Sequence, residues 1–521
     1  SAQDGNAPKY TWVFKTDENG IIWLGEDWLI SGSDGLISDF GGSYTIPIGT
    51  ITIQETKAPE GYLLNDTVYV AKTDIVNGTV RTTNLPTDDN AAQETPYEGT
   101  ISIQKFLGGS NAVKASEPDA EFQIYLKSAG SYDASPEDSR QTITTDDNGY
   151  AITKRLPYGT YTIHQTKGNN KYYFIDDIDV TISDNNANYH KILENTPIEF
   201  YLKMVKKDAD TGNIVNVAGA TFELYDENGS KVSFKTMTSA GVQTFDSFTT
   251  NENGCVYTLE KLLKGNYTLV ETKAPEGYVL DSTPVSFTVS ENTYTEDGGA
   301  EIVVVEKADK AVTGQLTVTK VGEVLDEYKG GLYVNPDEKG FTYREGSLSG
   351  AKFEVYAAED IYTADNQKDT AGNRNKHYSK GELVTTLVTG TDGKATATNL
   401  PLGKYKVVEV EAPDGFVLNP DEQVVTLVYV DDKTPVVNEA LTFSNDRQKV
   451  ELSVSKLDSE TRKPVAGAEF GLYAAKDIVN ADGKVIVSKD TLLEKSVSDS
   501  NGLIQFVKDY PLGSYYAKEI K

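Results

Sequence analysis

A chain of 521 residues is too long for one sandwich-sized domain and requires several. Thirty-one tyrosines and 44 glycines against two methionines favour strands joined by tight turns over helices. A formal charge of −30 excludes phosphate backbones and anionic lipid as partners, because both would be repelled, and a single cysteine excludes an internal disulfide. No apolar run is long enough to span a membrane, so no span is expected in this fragment, and its ends read as cuts in a longer chain.

Five units follow one another, and in each the two-residue period of a strand places polar groups on the apolar face. The first unit, residues 1–88, has Ile51, Ile53 and Glu55 on one face and Val80, Thr82 and Asn84 on a weaker one, but no lysine strand. All three tryptophans, Trp12, Trp23 and Trp28, lie in this unit, where the segment 20–50 replaces the shorter 149–160 of the next. Such tryptophans either anchor a ligand, with Trp23 and Trp28 as the candidates, or plug a local core. Residues 87–95 read as a polar linker.

The second unit, 97–197, aligns Ile101, Ile103 and Lys105, then Leu193 and Asn195, but its acid slot after Tyr161 and Ile163 holds Gln165. Glu121 is near in sequence yet has the wrong parity, since Phe122 and Ile124 take the inward face. The third, 198–312, aligns Phe200, Leu202, Met204 and Lys206, then Tyr267, Leu269 and Glu271; Ile302, Val304 and Glu306 put a glutamate where asparagine is expected. The fourth, 313–447, is complete: Leu316, Val318, Lys320; Tyr405, Val407, Glu409; Leu441, Phe443, Asn445. Its lysine-to-acid separation, 409 − 320 = 89 against 271 − 206 = 65, marks insertions within Glu323–Leu348 and Asp360–Lys380, expected as surface loops. The fifth, 448–521, carries Leu452, Val454, Lys456 and Tyr515, Ala517, Glu519 without an acceptor strand. Gly20, Gly149, Gly254, Gly393 and Gly502 each close an Asn-Gly or Asp-Gly turn ahead of a strand, a repeated hairpin signal. Cys255 stands just after one of them and reads as an ordinary strand residue.

A lysine in the first strand, a carboxyl in the penultimate one and an asparagine in the last can be neighbours inside a sandwich. In an apolar pocket the lysine pKa falls and the acid's rises, so both can be neutral together. The trio then has two outcomes: an ion pair with asparagine as bystander, or attack of the neutral amine on the amide, with the protonated carboxyl polarising the carbonyl and passing a proton to departing ammonia. Recurrence at fixed strand positions favours the bond in the fourth unit, while an ion pair is expected in the third. Glu409, and with it Glu271, Glu55 and Glu519, are the candidate acids; Lys320 and Asn445 are the expected crosslink, with Lys105, Asn195, Lys206, Lys456 and Asn84 as further candidates.

The segments ETKAPEGY at 55–62 and 271–278 are identical, and VEAPDGF at 410–416 is close to them. Together with GAKFEVY at 350–356, SKLDSET and VAGAEFGLY at 465–473, they resemble Cna-B, or SpaA-type, domains of Gram-positive surface adhesins and pilins. The resemblance implies an all-β, tandem array of inverse immunoglobulin-like sandwiches, elongated and monomeric, with autocatalytic Lys–Asn isopeptide bonds. It also implies an extracellular, cell-wall-anchored stalk, attached by sortase to peptidoglycan through a C-terminus outside this sequence, and presenting a binding region to extracellular-matrix or mucosal glycoprotein. Carried over by residue, Lys320 is the nucleophile, Glu409 the acid and Asn445 the acceptor. A directly ligand-binding first unit and a pilin subunit are the rival readings; the second needs a reactive-lysine motif such as Tyr-Pro-Lys-Asn, absent from the sequence. Leu85-Pro86-Thr87-Asp88 opens like a sortase sorting signal but lacks the Thr-Gly ending and hydrophobic tail, and reads as linker.

No turnover enzyme, cofactor or metal is expected. Asp176, Asp177, Asp179 and Asp184, and the loop 208–212, lack full calcium-ligand spacing and read as solvated turns; His164, His190 and His377 adjoin no triad.

Overall fold

The computed structural model describes residues 8–77, 79–83, 91–109, 114–239, 241–330 and 340–521. Asn84 and the segment 85–88 lie outside them. The chain divides into two compact units, Ser1–Ile198 and Glu199–Lys521, each described by itself.

In the first unit, β1 (Gly49–Ile53), β2 (Tyr69–Val76) and β3 (Thr79–Thr83) form a three-stranded antiparallel sheet. The second domain follows with β4 (Glu98–Leu107), β5 (Glu121–Leu126), β6 (Gly159–Lys167) and β7 (Asn188–Pro197). The second unit holds the third domain, with β8 (Glu199–Asp208), β9 (Thr221–Tyr225), β10 (Gly265–Lys273) and β11 (Ala300–Asp309). The fourth has β12 (Thr313–Tyr328), β13 (Phe341–Ser347), β14 (Lys352–Ala357), β15 (Gly403–Glu411) and β16 (Val436–Asn445). The fifth has β17 (Val450–Ser455), β18 (Glu469–Ala474), β19 (Leu503–Tyr510) and β20 (Tyr515–Glu519).

The middle three domains share one plan. First and last strands lie side by side and parallel in one sheet, β4 with β7, β8 with β11 and β12 with β16. The acid-bearing strand lies in the facing sheet, where β6 pairs with β5, β10 with β9 and β15 with β14. It is not penultimate, as the sequence suggested, because Ile178–Ile182, Val285–Val289 and Gln423–Leu427 intervene before the last strand. Alternating side chains of both sheets meet between them: Ile101, Ile103, Phe122, Ile124, Tyr161 and Ile163 in the second domain, and Leu316, Val318, Phe353, Val355, Tyr405 and Val407 in the fourth. Burying each large side chain contributes roughly 1.5–3 kcal/mol. A tyrosine hydroxyl at each acid strand satisfies itself on the carbonyl four residues earlier: Tyr161 on Pro157, Tyr267 on Leu263, Tyr405 on Pro401 and Tyr515 on Pro511.

The turn glycines hold the lysine strands in place. Gly149, Gly254, Gly393 and Gly502 have φ between 68° and 74°, and their carbonyls accept the backbone N–H of Lys105, Lys206, Lys320 and Lys456. A Cβ at Gly149 would stand 2.4 Å from the Lys105 carbonyl oxygen.

The described parts of the fourth domain's two insertions are not free surface loops. β12 outruns its own sandwich and forms a hairpin with β13, whose Leu325, Tyr328, Phe341 and Tyr343 pack into the fifth domain's core with Leu493, Ile504, Phe506 and Tyr510. Arg447 stacks over Tyr343 at 3.7 Å from the ring centroid and pairs with Asp509. The other insertion turns to the third domain: buried Asp365 accepts from Asn213 Nδ2 at 3.0 Å, its carbonyl from Asn216 N at 2.8 Å, and Gln367 Nε2 donates to the Ile214 carbonyl. Apolar residues and backbone groups of the insertions find partners on neighbouring domains, which sequence periodicity within one repeat does not reveal.

Candidate functional sites in the sandwich cores

The fourth domain closes a triangle of buried polar groups. Lys320 Nζ lies 2.5 Å from Asn445 Oδ1 and 3.1 Å from Glu409 Oε1, and Asn445 Nδ2 donates to the same Glu409 oxygen at 3.0 Å. Glu409 Oε2 accepts the backbone N–H of Asn419 at 3.0 Å. The Phe353 and Phe443 rings stand 5.7 and 5.8 Å from Lys320 Nζ and exclude water from it. Burial pushes the Lys320 amine below its ordinary pKa, against the opposing pull of Glu409. Parallel pairing explains the reach: Gly322, two residues past the lysine, is the register partner of Asn445, so the lysine side chain leans along its strand toward the acceptor.

The same offset corrects the third domain. Asp208, two residues past Lys206, pairs with Asp309, whereas Glu306 is the partner of Val205 and is exposed. The acceptor slot therefore holds Asp309, not Glu306. Lys206 Nζ lies 2.5 Å from Glu271 Oε2 and 2.7 Å from Asp309 Oδ2, with all three side chains fully buried. Burial, reinforced by Asp309 and opposed by Lys206, pushes Glu271 up to about 8, and burial also raises Asp309. Lys206 thus makes the ion pair with Glu271 that the sequence leads one to expect, and a second one with Asp309.

In the second domain Lys105 and Asn195 are buried, and Asn195 is the register partner of Leu107, again two past the lysine. Gln165 does occupy the acid slot, and its Oε1 accepts from Ile175 N at 3.3 Å. The carboxylate beside the pair comes from elsewhere: Glu117 Oε2 is 3.2 Å from Lys105 Nζ and 3.0 Å from Asn195 Nδ2. Glu121 instead accepts from the Thr166 hydroxyl.

The outer units differ. Glu55 accepts from Asn65 N at 2.7 Å, the bond that Glu409 makes with Asn419, but no described lysine meets it. Lys456 Nζ reaches Glu519 Oε2 at 2.7 Å with side chains 30% and 44% exposed; this pair is not buried, contrary to the inward-facing assignment, and no described strand offers it an acceptor. Trp23 is 54% exposed, its Nε1 tied to Asp17 Oδ2 at 3.0 Å, while Trp28 is half-buried. Cys255 begins the strand Cys255–Tyr257. The described residues contain no cluster of metal-ligating side chains.

A family model described as SpaA, prealbumin-like fold domain, matches residues 112–197, 200–301, 342–440 and 450–521. A sequence comparison with curated proteins returns no match. Among solved structures, the chain is similar to the TIE protein of Bacillus anthracis, at 21% identity over 77% of this chain and 69% of that one with a TM-score of 0.45. It is also similar to BcpA, the major pilin subunit of Bacillus cereus, at 14% identity over 67% and 100% with a TM-score of 0.29. A variant of the shaft pilin SpaA from Lactobacillus rhamnosus GG gives 17% over 41% and 99%, with a TM-score of 0.19. With more than half of its length matched in four successive stretches, this protein belongs to the SpaA family of prealbumin-like fold domains.

Proposed function

We propose that the chain is a structural stalk of a Gram-positive surface adhesin or pilin-like protein, stiffened by isopeptide bonds that the buried trios of its middle domains form. The observation that carries this reading is the triangle of Lys320, Glu409 and Asn445, a nucleophile, acid and acceptor within 3.1 Å of one another in a pocket without water access. Transfer of a proton from the ammonium to Glu409 leaves amine and acid neutral. Nζ then attacks the Asn445 amide carbon as Glu409 protonates its oxygen; the attacking nitrogen passes a proton through Glu409 to Nδ2, and ammonia departs as the carbonyl re-forms and the oxygen returns its proton to Glu409. In the third domain the same sequence on protonated Asp309 releases water.

Mechanics gives the bond a use. In parallel first and last strands, load enters at the start of β12 and leaves at the end of β16, so a link from Lys320 to Asn445 carries tension past the intervening sandwich. No helix among the described residues is long and apolar enough to cross a membrane. Anchoring by sortase to peptidoglycan, a cell-wall location and display of a region that binds matrix or mucosal glycoprotein belong to this reading, as does a monomeric state. Exposed Trp23 beside exposed Ile21 and Ile22 favours a second role for the first unit as a ligand contact. Peptide mapping tests the main reading: a linked peptide joining Lys320 to Asn445, short by one ammonia, is expected, and two unlinked peptides would refute it. Binding of the chain to immobilised matrix and mucin glycoproteins, lost in Trp23→Ala, tests the second.

A further inference from the structure

The second domain has lost the carboxyl that its sisters carry on the acid strand, yet it still buries a lysine and an asparagine side by side. Glu117 bridges the two from another direction, while the Lys105 amine donates to the Phe106 carbonyl at 3.2 Å. One of its oxygens touches both partners, at 3.2 Å from Lys105 Nζ and 3.0 Å from Asn195 Nδ2; in the fourth domain one Glu409 oxygen does the same at 3.1 and 3.0 Å.

Glu117 stands where the other domains are apolar. Its backbone N–H donates to the carbonyl of the strand lysine, as do those of Val215, Leu348 and Val465 in the third, fourth and fifth domains. A carboxylate 1% exposed at that position is costly without a compensating set of neighbours. The neighbours have changed accordingly. Gly168 replaces the alanine found at Ala58, Ala274 and Ala412, and a Cβ there would stand 2.8 Å from Glu117 Oε1. Asn169 replaces the proline of Pro59, Pro275 and Pro413, and supplies the N–H that proline lacks, donating to Glu117 Oε1 at 2.6 Å. Gln165 keeps the older structural duty, accepting from the backbone ten residues on, as Glu55 and Glu409 do. Four departures in one domain thus serve one end: the carboxyl has moved, and room and a donor have been made for it.

We propose that Glu117 is the catalytic acid of the second domain and that Lys105 and Asn195 are joined there by an isopeptide bond. The proposal rests on the reading that the buried trios of this chain crosslink. Lys105 passes a proton to Glu117, and the neutral amine attacks the Asn195 amide carbon. Asn195 Oδ1, buried without a hydrogen-bond partner, gains one when the amide turns over and protonated Glu117 donates to it. The nitrogen's surplus proton then travels through Glu117 to the amide nitrogen, the carbon–nitrogen bond breaks, and ammonia leaves; one amide is exchanged for another with no further reactant.

Peptide mapping of the whole chain provides the test. The native chain is expected to yield Lys105 linked to Asn195 in near-complete occupancy, Glu117→Gln to lose that link while retaining Lys320 to Asn445, and Glu117→Gln with Gln165→Glu to regain it. Recovery in the double variant shows that the single change removed chemistry rather than folding. A link persisting in Glu117→Gln overturns the assignment of the acid. Free Lys105 in the native chain beside a linked Lys320 overturns the proposal alone, whereas free lysines at both sites overturn the underlying reading as well.

Discussion

The third and fourth domains place the same lysine and the same acid against acceptors that differ by one functional group. Both acceptors sit two residues past the lysine's register partner, in a parallel strand pair, with the acid reaching across from the facing sheet. The difference is electrostatic. Asn445 is neutral, so one proton shared between Lys320 and Glu409 suffices for a neutral amine and acid. Asp309 is ionisable, so the third domain's reactive state needs a second proton, which burial holds on Glu271 up to about 8. Register sets the position of both residues, and under the proposed reaction the residue found there sets the leaving group and the proton demand.

The largest expected effect isolates one domain from the other. If the proposed bond closes a loop across the 125 residues between Lys320 and Asn445, Lys320→Ala should cost the fourth domain about 5 kcal/mol in denaturant unfolding by the chain-entropy relation, with the third domain unaffected. Lys206→Ala should do the converse. A smaller loss, about 3 kcal/mol, is expected in the fifth domain from Phe341→Ala, since that ring fills a neighbour's core from the fourth domain's hairpin; amide exchange at Ile504 and Phe506 should quicken with no change in crosslinking.

Proton demand gives the next contrast. When chains are refolded from an uncrosslinked state, the third domain's bond should form more slowly as pH rises through about 8, because Glu271 loses the proton it must donate. Gel mobility or mass at timed intervals would resolve this change. The smallest effect is the most specific: Asp309→Asn should still crosslink and give a product of the same mass as the crosslinked native chain, since both acceptors yield the same amide.

Much of this was legible in strand parity. Lys105, Lys206, Lys320, Glu271, Glu409, Asn195 and Asn445 stand as polar residues on apolar faces of the sequence pattern, and all are buried. Parity failed at Asp309 because β11 is covered near its start: Ile302 and Val303 are both buried, the run Ile302–Val305 fits either phase, and the inward phase continues through Lys307 to Asp309. Glu117 escaped because it precedes β5 and belongs to no strand; the signal was there in the replacement of Ala-Pro by Gly168-Asn169. The docking of the fourth domain's insertions depends on surfaces of other domains, and only the apolar content of Leu325, Tyr328, Phe341 and Tyr343 hinted at it.

The central claim, that buried trios of this chain close into covalent bonds, is tested most directly by the intact mass of the purified, denatured chain. The account predicts a deficit of one water from Lys206 and Asp309 and one ammonia from Lys320 and Asn445, with a second ammonia if Glu117 acts as proposed; a mass equal to that of the linear sequence contradicts it.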